Sequence, residues 1–487
     1  MANKKRVGTI LKRYLPVILL ELYLGGSYAL YRWGVWVYPY QKDNLVLLFV
    51  LLYMAALFGG YFLIEKRTSR CKVSEQMDFP HRIYLVLCIV CCLIMVPFCY
   101  SKTGSWFPRM IDAFRNLAVA YSTSASAVQA AGVLHYFGSV GSFIVLPVFV
   151  ISYRYWESLK LPERIISSLI LVWFFSVEIA TGHNRGIFFY MAVLFVVFLS
   201  VLFGNKINKR IVLKKMIVAL LFVIFFVVYF YLSLSSRNSN TIAEVAESDI
   251  SVKEIILSSD DAVDMIIDEY GYVEEHDSQN KEEYASYEDN YESAMKINPY
   301  YADEFMHAYV DTNHFLYKLM PGKMKFLLVL GSSYLTQGYH GVSLGVHQSY
   351  TPSWGCGTFL FLRNKIKGVT GIDLYKNTLI YKINENGYPI SLKWGTAFTQ
   401  WASDVSFIGI VFMMFLAGML FATLWIDSIE ERNIGALIFL CVLTFFSLMF
   451  ISWWLPGMSG GDFMLFHGYL AFWGVTSIIR FLKIKKG

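Results

Sequence analysis

Three stretches of this chain combine residue types and spacings that suit work on anionic or sugar-like ligands. The first is Phe175-Ser-Val-Glu-Ile-Ala-Thr-Gly-His-Asn-Arg-Gly186, in which Glu178 and Arg185 stand two helical turns apart. A guanidinium fork matches phosphate oxygens and is strongest where water is scarce, so Arg185 would grip a lipid pyrophosphate. The plainer reading is an ion pair with Glu178 or an arginine snorkelling to the membrane interface. Gly182 leaves open whether one helix carries both. The second stretch is Tyr334-Leu-Thr-Gln-Gly-Tyr-His-Gly341, followed by Ser353-Trp-Gly-Cys-Gly-Thr358. Aromatic faces stack on sugars, amides and hydroxyls hydrogen-bond sugar hydroxyls, and glycines admit a ligand close to the backbone. A Gly-rich loop packed on a membrane surface reads equally well. The third stretch runs from Trp394 through Trp401 to Ala402-Ser-Asp404. Asp404 is a helix N-cap by type, or a carboxylate at the interface facing a ligand.

Around these stretches the chain is built of apolar runs. A helix needs about 20 apolar residues to cross a bilayer core. Ten runs qualify: 15–36, 44–64, 83–100, 132–152, 165–181, 186–203, 216–235, 405–427, 434–455 and 463–479. The expected fold is an all-α polytopic membrane protein. It has a seven-span bundle over 1–235, one large loop over 236–404, and a three-span bundle over 405–487. A hairpin at Thr181–Gly186 joins the short fifth and sixth runs. Loops on the N-terminal side carry 23 Lys/Arg against five in the short loops opposite, which places both termini in the cytoplasm. The first run then acts as an uncleaved signal anchor.

The 236–404 loop holds 23 of the 36 acidic residues. Its 237–323 part reads as a solvated cap with a few short helices. Residues 325–334 are apolar but too short to span, which suits a re-entrant or interfacial helix. In Trp106-Phe-Pro-Arg-Met-Ile-Asp-Ala-Phe-Arg115, Arg109 and Arg115 flank apolar residues at helical spacing. This reads as one amphipathic helix on the outer leaflet, its arginines meeting lipid headgroups or, more sharply, a polyprenyl pyrophosphate. Glu21 is deep in the first run, and the span histidines His135 and His467 read as packing residues.

Composition narrows the field. Of 487 residues 56% are hydrophobic and 16% charged, with mean hydropathy +0.48, which excludes an ordinary soluble enzyme and a disordered chain. The net charge of +6 averages two compartments and shows no clustered basic domain, so no nucleic-acid partner is expected. Four of seven cysteines fall in the third run, and Cys88/Cys91 is a lone pair, so neither disulfides nor zinc are expected. P-loop, GxGxxG and HExxH signatures are absent. Gly341-Val-Ser-Leu-Gly345 matches a nucleophile elbow only in letters, without its strand–turn–helix setting.

Tyr334-Leu-Thr-Gln-Gly-Tyr339, the Trp/Gly segment at 354–357, Trp394…Trp401-Ala-Ser-Asp-Val-Ser-Phe-Ile-Gly409 and the Thr181–Phe188 hairpin together resemble bacterial oligosaccharide repeat-unit polymerases, the Wzy class. The resemblance implies a fold similar to multi-span, GT-C-like glycosyltransferases. It implies transfer of a growing O-antigen or capsular chain from undecaprenyl pyrophosphate to a new lipid-linked unit, at the outer face of the bacterial cytoplasmic membrane. No metal or other cofactor is expected. The partners implied are the lipid-linked oligosaccharide, membrane lipid, and a chain-length regulator and flippase. On that reading Arg185, then Arg237, would stabilise the pyrophosphate leaving group. His340 and Asp404 would be candidate bases, with His347 behind them. Tyr334, Gln337, Tyr339, Trp394 and Trp401 would position sugar. The alternatives are an O-antigen ligase, a polyprenyl-phosphate-sugar glycosyltransferase, or a lipid-linked oligosaccharide flippase. A transporter would put its polar site at the midplane, where only Glu21 and Glu178 qualify.

Overall fold

The computed structural model describes residues 2–68, 81–130, 134–204, 209–247, 302–303, 306–386, 388, 395–430 and 432–486. The described chain is almost entirely helical. In order, the helices are α1 (Ala2–Trp33), α2 (Asn44–Thr68), α3 (His81–Thr103), α4 (Met110–Arg115), α5 (Leu117–Ala130), α6 (His135–Tyr155), α7 (Leu161–Ala180), α8 (Asn184–Leu202) and α9 (Lys209–Glu247). After these come α10 (Phe315–Leu319), α11 (Gly322–Gly345), α12 (Leu360–Thr370), α13 (Leu379–Glu385), α14 (Ala397–Ile429), α15 (Ile434–Leu448) and α16 (Gly460–Lys486).

Eight of these helices, α2, α3, α6, α8, α9, α14, α15 and α16, contain segments long and apolar enough to cross a membrane. The chain is therefore an all-α multi-pass membrane protein. The other two expected spans form helices, α1 and α7, but these are more polar: α7 carries Glu163, Arg164 and Glu178. α9 exposes Leu213, Ile217, Leu221, Ile224 and Val228, the mark of a helix facing lipid.

Two compact units divide the chain. One comprises Met1–Cys71, Ala262–Thr423 and Phe446–Gly460; the other Lys72–Asp261, Leu424–Phe445 and Gly461–Gly487. In the first unit, α2 and α14 cross at a distance only glycine allows. A Cβ at Gly60 would lie 1.9 Å from the Phe415 carbonyl oxygen, and one at Gly418 would lie 2.0 Å from that of Leu57. Small residues give apolar helices this close contact in a medium where burial alone does not drive association. The sheet of this unit has three short antiparallel strands in the order β1 (Trp36–Val37), β3 (Ala308–Val310), β2 (Ala302–Asp303). Strands β2 and β3 fall in the 237–323 stretch expected as a solvated cap with a few short helices; residues 248–301 and 304–305 of it lie outside the described residues.

The Tyr334–Gly341 run is helical within α11, not a Gly-rich loop. Its glycines serve packing: a Cβ at Gly338 would meet the Ile451 carbonyl at 2.3 Å. Tertiary contact overrides glycine's poor helix propensity. α11 is fastened by Trp36 Nε1 donating to the Val329 carbonyl (2.8 Å) and by Tyr38 Oη with Thr336 Oγ1 (2.7 Å).

In the second unit, α3, α6 and α7 pack together, with the Phe98 and Phe174 rings stacked at 5.3 Å. The Lys215 ammonium donates to the carbonyls of Tyr153 and Arg154 (2.7 and 2.6 Å), placing a cation on the negative end of α6. Of the amphipathic helix expected around 106–115, Met110–Arg115 is helical (α4); it stops at Asn116, whose backbone is extended (φ −151°), and a separate helix, α5, follows.

Candidate functional site

In the first unit Asp404 is the centre of a small hydrogen-bonded cluster. The helix α14 is not continuous: Ser406 has φ 69° and ψ 163°, a left-handed φ that costs a non-glycine residue about 1–2 kcal/mol. Its Oγ accepts from the Gly409 N–H (3.3 Å), so Ser406 caps the longer half of the helix. Asp404 is thus not the N-cap expected from sequence. It lies in the short leading half, and the break frees the Ser403 carbonyl to accept from the Ser353 N–H at 2.7 Å.

The Asp404 carboxylate is buried and fully engaged. Oδ1 accepts from Ser353 Oγ (2.7 Å) and the Gly357 N–H (2.9 Å), and Oδ2 accepts from the Thr358 N–H (2.7 Å). Ser403 Oγ accepts from the Leu379 N–H (2.9 Å), tying in α13. Gly357 has no room for a side chain, since a Cβ would sit 2.5 Å from that of Ser403. The loop this carboxylate holds presents Trp354, which is 84% exposed, on a left-handed backbone (φ 51°) followed by Gly355 (φ 112°). All three of these contacts tie the carboxylate to the 353–358 loop.

The other candidates of this unit divide by exposure. Tyr339 is fully buried among Tyr28 and Tyr31, with its hydroxyl 2.9 Å from Ser27 Oγ. Gln337 is buried. Trp401 is buried edge-on against Phe450 and Trp454, with ring centroids 4.9 and 5.0 Å away. His340 is buried, stacked on Tyr38 at 5.7 Å and edge-on to Tyr388 at 5.1 Å, with Nδ1 lacking a partner. Burial pushes its imidazole down to about 3, so the ring stays neutral at ordinary pH. Tyr334 and His347 are exposed, and His347 Nε2 lies 2.6 Å from Asp43 Oδ2. Trp394 lies outside the described residues.

The second unit holds the other candidates. The expected hairpin is present: α7 ends at Ala180, Gly182 turns with φ 66°, and α8 starts at Asn184. Gly182 is obligatory here twice over, because a Cβ would also lie 2.6 Å from the Leu117 carbonyl. The turn separates the two charges that one helix would have aligned. Arg185 is half-exposed and donates from Nη2 to Asp462 Oδ1, in the first turn of α16, and not to Glu178. Glu178 is buried, and its Oε2 occupies the space a Cβ at Gly186 would need. Lys102 and Arg185 are the cations whose charge reaches it. Arg109 and Arg115 are exposed beside the exposed apolar residues Phe107 and Ile111, as an interfacial segment requires. Arg237 lies on α9, with its side chain outside the described residues.

The structure thus brings Gln337, Tyr339, His340, Trp401 and Asp404 into one unit, and Arg109, Arg115 and Arg185 into the other. Sequence reasoning missed Asp462 and the bond from Ser353 to Asp404. An acid in the first turn of an apolar helix is the available signal for Asp462; Ser353 stands in a run singled out for sugar contact, but nothing local pairs it with Asp404. Among the described residues no group of three His, Cys, Asp or Glu side chains forms a metal site. No family model, curated protein or solved structure matches this chain.

Proposed function

We propose that this protein is a glycosyltransferase that polymerises polyprenyl-pyrophosphate-linked oligosaccharide units at the outer face of a bacterial cytoplasmic membrane. The observation that carries the reading is the joining of three segments far apart in sequence. Gly338 on α11 packs against Thr396, the Tyr388 hydroxyl donates to the Gln337 carbonyl (3.3 Å), and Asp404 on α14 holds Gly357 and Thr358. These are the segments that resemble the polymerase class, and an exposed indole stands on the loop they fix.

The roles follow from exposure. Arg185 keeps most of its five N–H donors open beyond the one given to Asp462, which suits the developing charge of a pyrophosphate leaving group. Trp354 and Tyr334 supply exposed aromatic faces for sugar. Asp404 is a positioning residue for the Trp354 loop. His347, exposed and paired with Asp43, is the accessible base candidate, while His340 is a packing residue.

The test is polysaccharide gel profiling of a deletion strain, with lipid-linked intermediates extracted in parallel. A polymerase predicts loss of the ladder with single units still reaching the outer face, restored by the wild-type chain. Long chains stranded on the carrier would identify a ligase, and units trapped inside a flippase; either outcome overturns the proposal.

A further inference from the structure

Arg363, one turn into α12, is a cation with no ion-pair partner among the described residues. It is 8% exposed, and its guanidinium lies over the Tyr375 ring, 4.4 Å from the centroid. No carboxylate among the described residues forms an ion pair with it. The carboxylate whose charge reaches it, Asp373, is already committed: Oδ2 accepts from Lys367 (2.7 Å) and Oδ1 from the Tyr375 N–H (2.9 Å). No described atom accepts a hydrogen bond from the guanidinium, and its nitrogens keep contact with solvent, so its N–H edge is open while one face rests on the phenol ring.

The surroundings are rigid. Asp404 holds Gly357 and Thr358 immediately before α12. A Cβ at Gly460 would touch the Phe361 ring at 3.0 Å, and one at Gly457 the Thr358 carbonyl at 1.6 Å, so the start of the helix has no freedom to shift. Side chains on a helix lean toward its N-terminus, which directs Arg363 to the loop. The Cys356 thiol reports both neighbours: burial and Asp404 push its pKa up, and Arg363 pulls it down.

We propose that Arg363 is a binding site for a phosphate-type oxyanion. With one face on Tyr375, the guanidinium has its N–H edge left for a ligand, and two parallel N–H donors fit two oxygens of one phosphate group. The ligand is a phosphate or diphosphate, either free or as the headgroup of a polyprenyl carrier. Naming the carrier as its source rests on the polymerase reading; the site itself does not.

The test is calorimetric titration of inorganic pyrophosphate into the purified full-length chain. It is done in an Arg185→Gln background, so that residual binding reports the second cation. Saturable binding is expected there, and adding Arg363→Gln weakens it on the order of 10- to 100-fold, the loss of a charge-assisted pair. Arg363→Lys keeps the charge without the fork and weakens binding by about tenfold. Thermal melting identifies any variant that has unfolded. Unchanged affinity in a folded Arg363→Gln or Arg363→Lys chain overturns the proposal, as does the absence of any binding in the Arg185→Gln chain. Tighter binding of polyprenyl diphosphate in nanodiscs than of pyrophosphate identifies the lipid headgroup; equal binding identifies the free anion. A chain that binds through Arg363 yet polymerises nothing removes the polymerase reading and leaves the site.

Discussion

At the α7–α8 turn an arginine stands half in solvent on a single carboxylate, whereas in α14 an aspartate lies buried with three donors on its two oxygens. Sequence reading proposes both as catalytic. The difference lies in what each has left to offer. A guanidinium has five N–H groups, and one bond to Asp462 leaves donors for a ligand. The Asp404 carboxylate accepts from Ser353, Gly357 and Thr358, and its work is the shape of the loop. Exposed charge acts on ligands, and satisfied buried charge acts on architecture.

The largest effect that probes this comparison is on activity. Arg185→Ala is expected to leave single repeat units in a polymerase-deficient host, a loss of about 10²–10³ in chain extension. Its thermal stability should fall by no more than about 1 kcal/mol, because the pair it breaks is half in solvent. Full-length ladders from a well-expressed variant would take Arg185 out of the site. An unfolded variant would erase the contrast with Asp404.

Asp404→Ala should show the reverse pattern. Three donors lose their acceptor in a buried place, at about 3 kcal/mol in total. Detergent melting should drop sharply, and limited proteolysis should open the 353–358 loop. A variant with wild-type melting but no activity would make Asp404 catalytic after all. Gly357→Ala attacks the same loop from the other side. Its Cβ would meet Ser403 at 2.5 Å and the Gln400 carbonyl at 2.8 Å, so about 1–3 kcal/mol of stability is expected to go. Unchanged melting of Gly357→Ala would mean that the loop is not held as described.

A pH-resolved effect concerns His340. Burial holds its folded pKa near 3, below the ordinary 6.5, so the unfolded chain binds the extra proton first. Stability should therefore fall as pH drops from about 6.5 toward 3. His340→Gln should flatten that part of the melting-versus-pH curve, and an identical slope in the variant would remove His340 as the cause.

Much of the fold was legible because a bilayer imposes a simple rule, about 20 apolar residues per crossing. Eight of the ten runs form helices that meet it, and the Thr181–Gly186 turn falls where Gly182 announced it. The elements that escaped are those whose state is set by neighbours. α11 is helical through Gly338, where the close Ile451 carbonyl leaves room for glycine alone, although glycine propensity argues for a loop. The break in α14 falls at Ser406, two residues past the acid that looked like the cap. The small sheet pairs Trp36–Val37 with Ala308–Val310, a partnership across most of the chain that no local pattern encodes.

For the candidate site, side-chain type was readable and state was not. The sequence by itself determined that the chain is helical, multi-pass and apolar, and that arginines, an aspartate and aromatics stand among its glycines. Hydropathy and periodicity are local properties, so local residues suffice to set them. Only the tertiary structure decided that Arg185 turns to Asp462 and away from Glu178, that Asp404 is spent on a loop, and that Arg363 rests on the Tyr375 ring with no carboxylate paired to it among the described residues. Hydrogen bonds and burial depend on partners tens to hundreds of residues away, and a charge becomes available to a ligand only after those partners have been assigned.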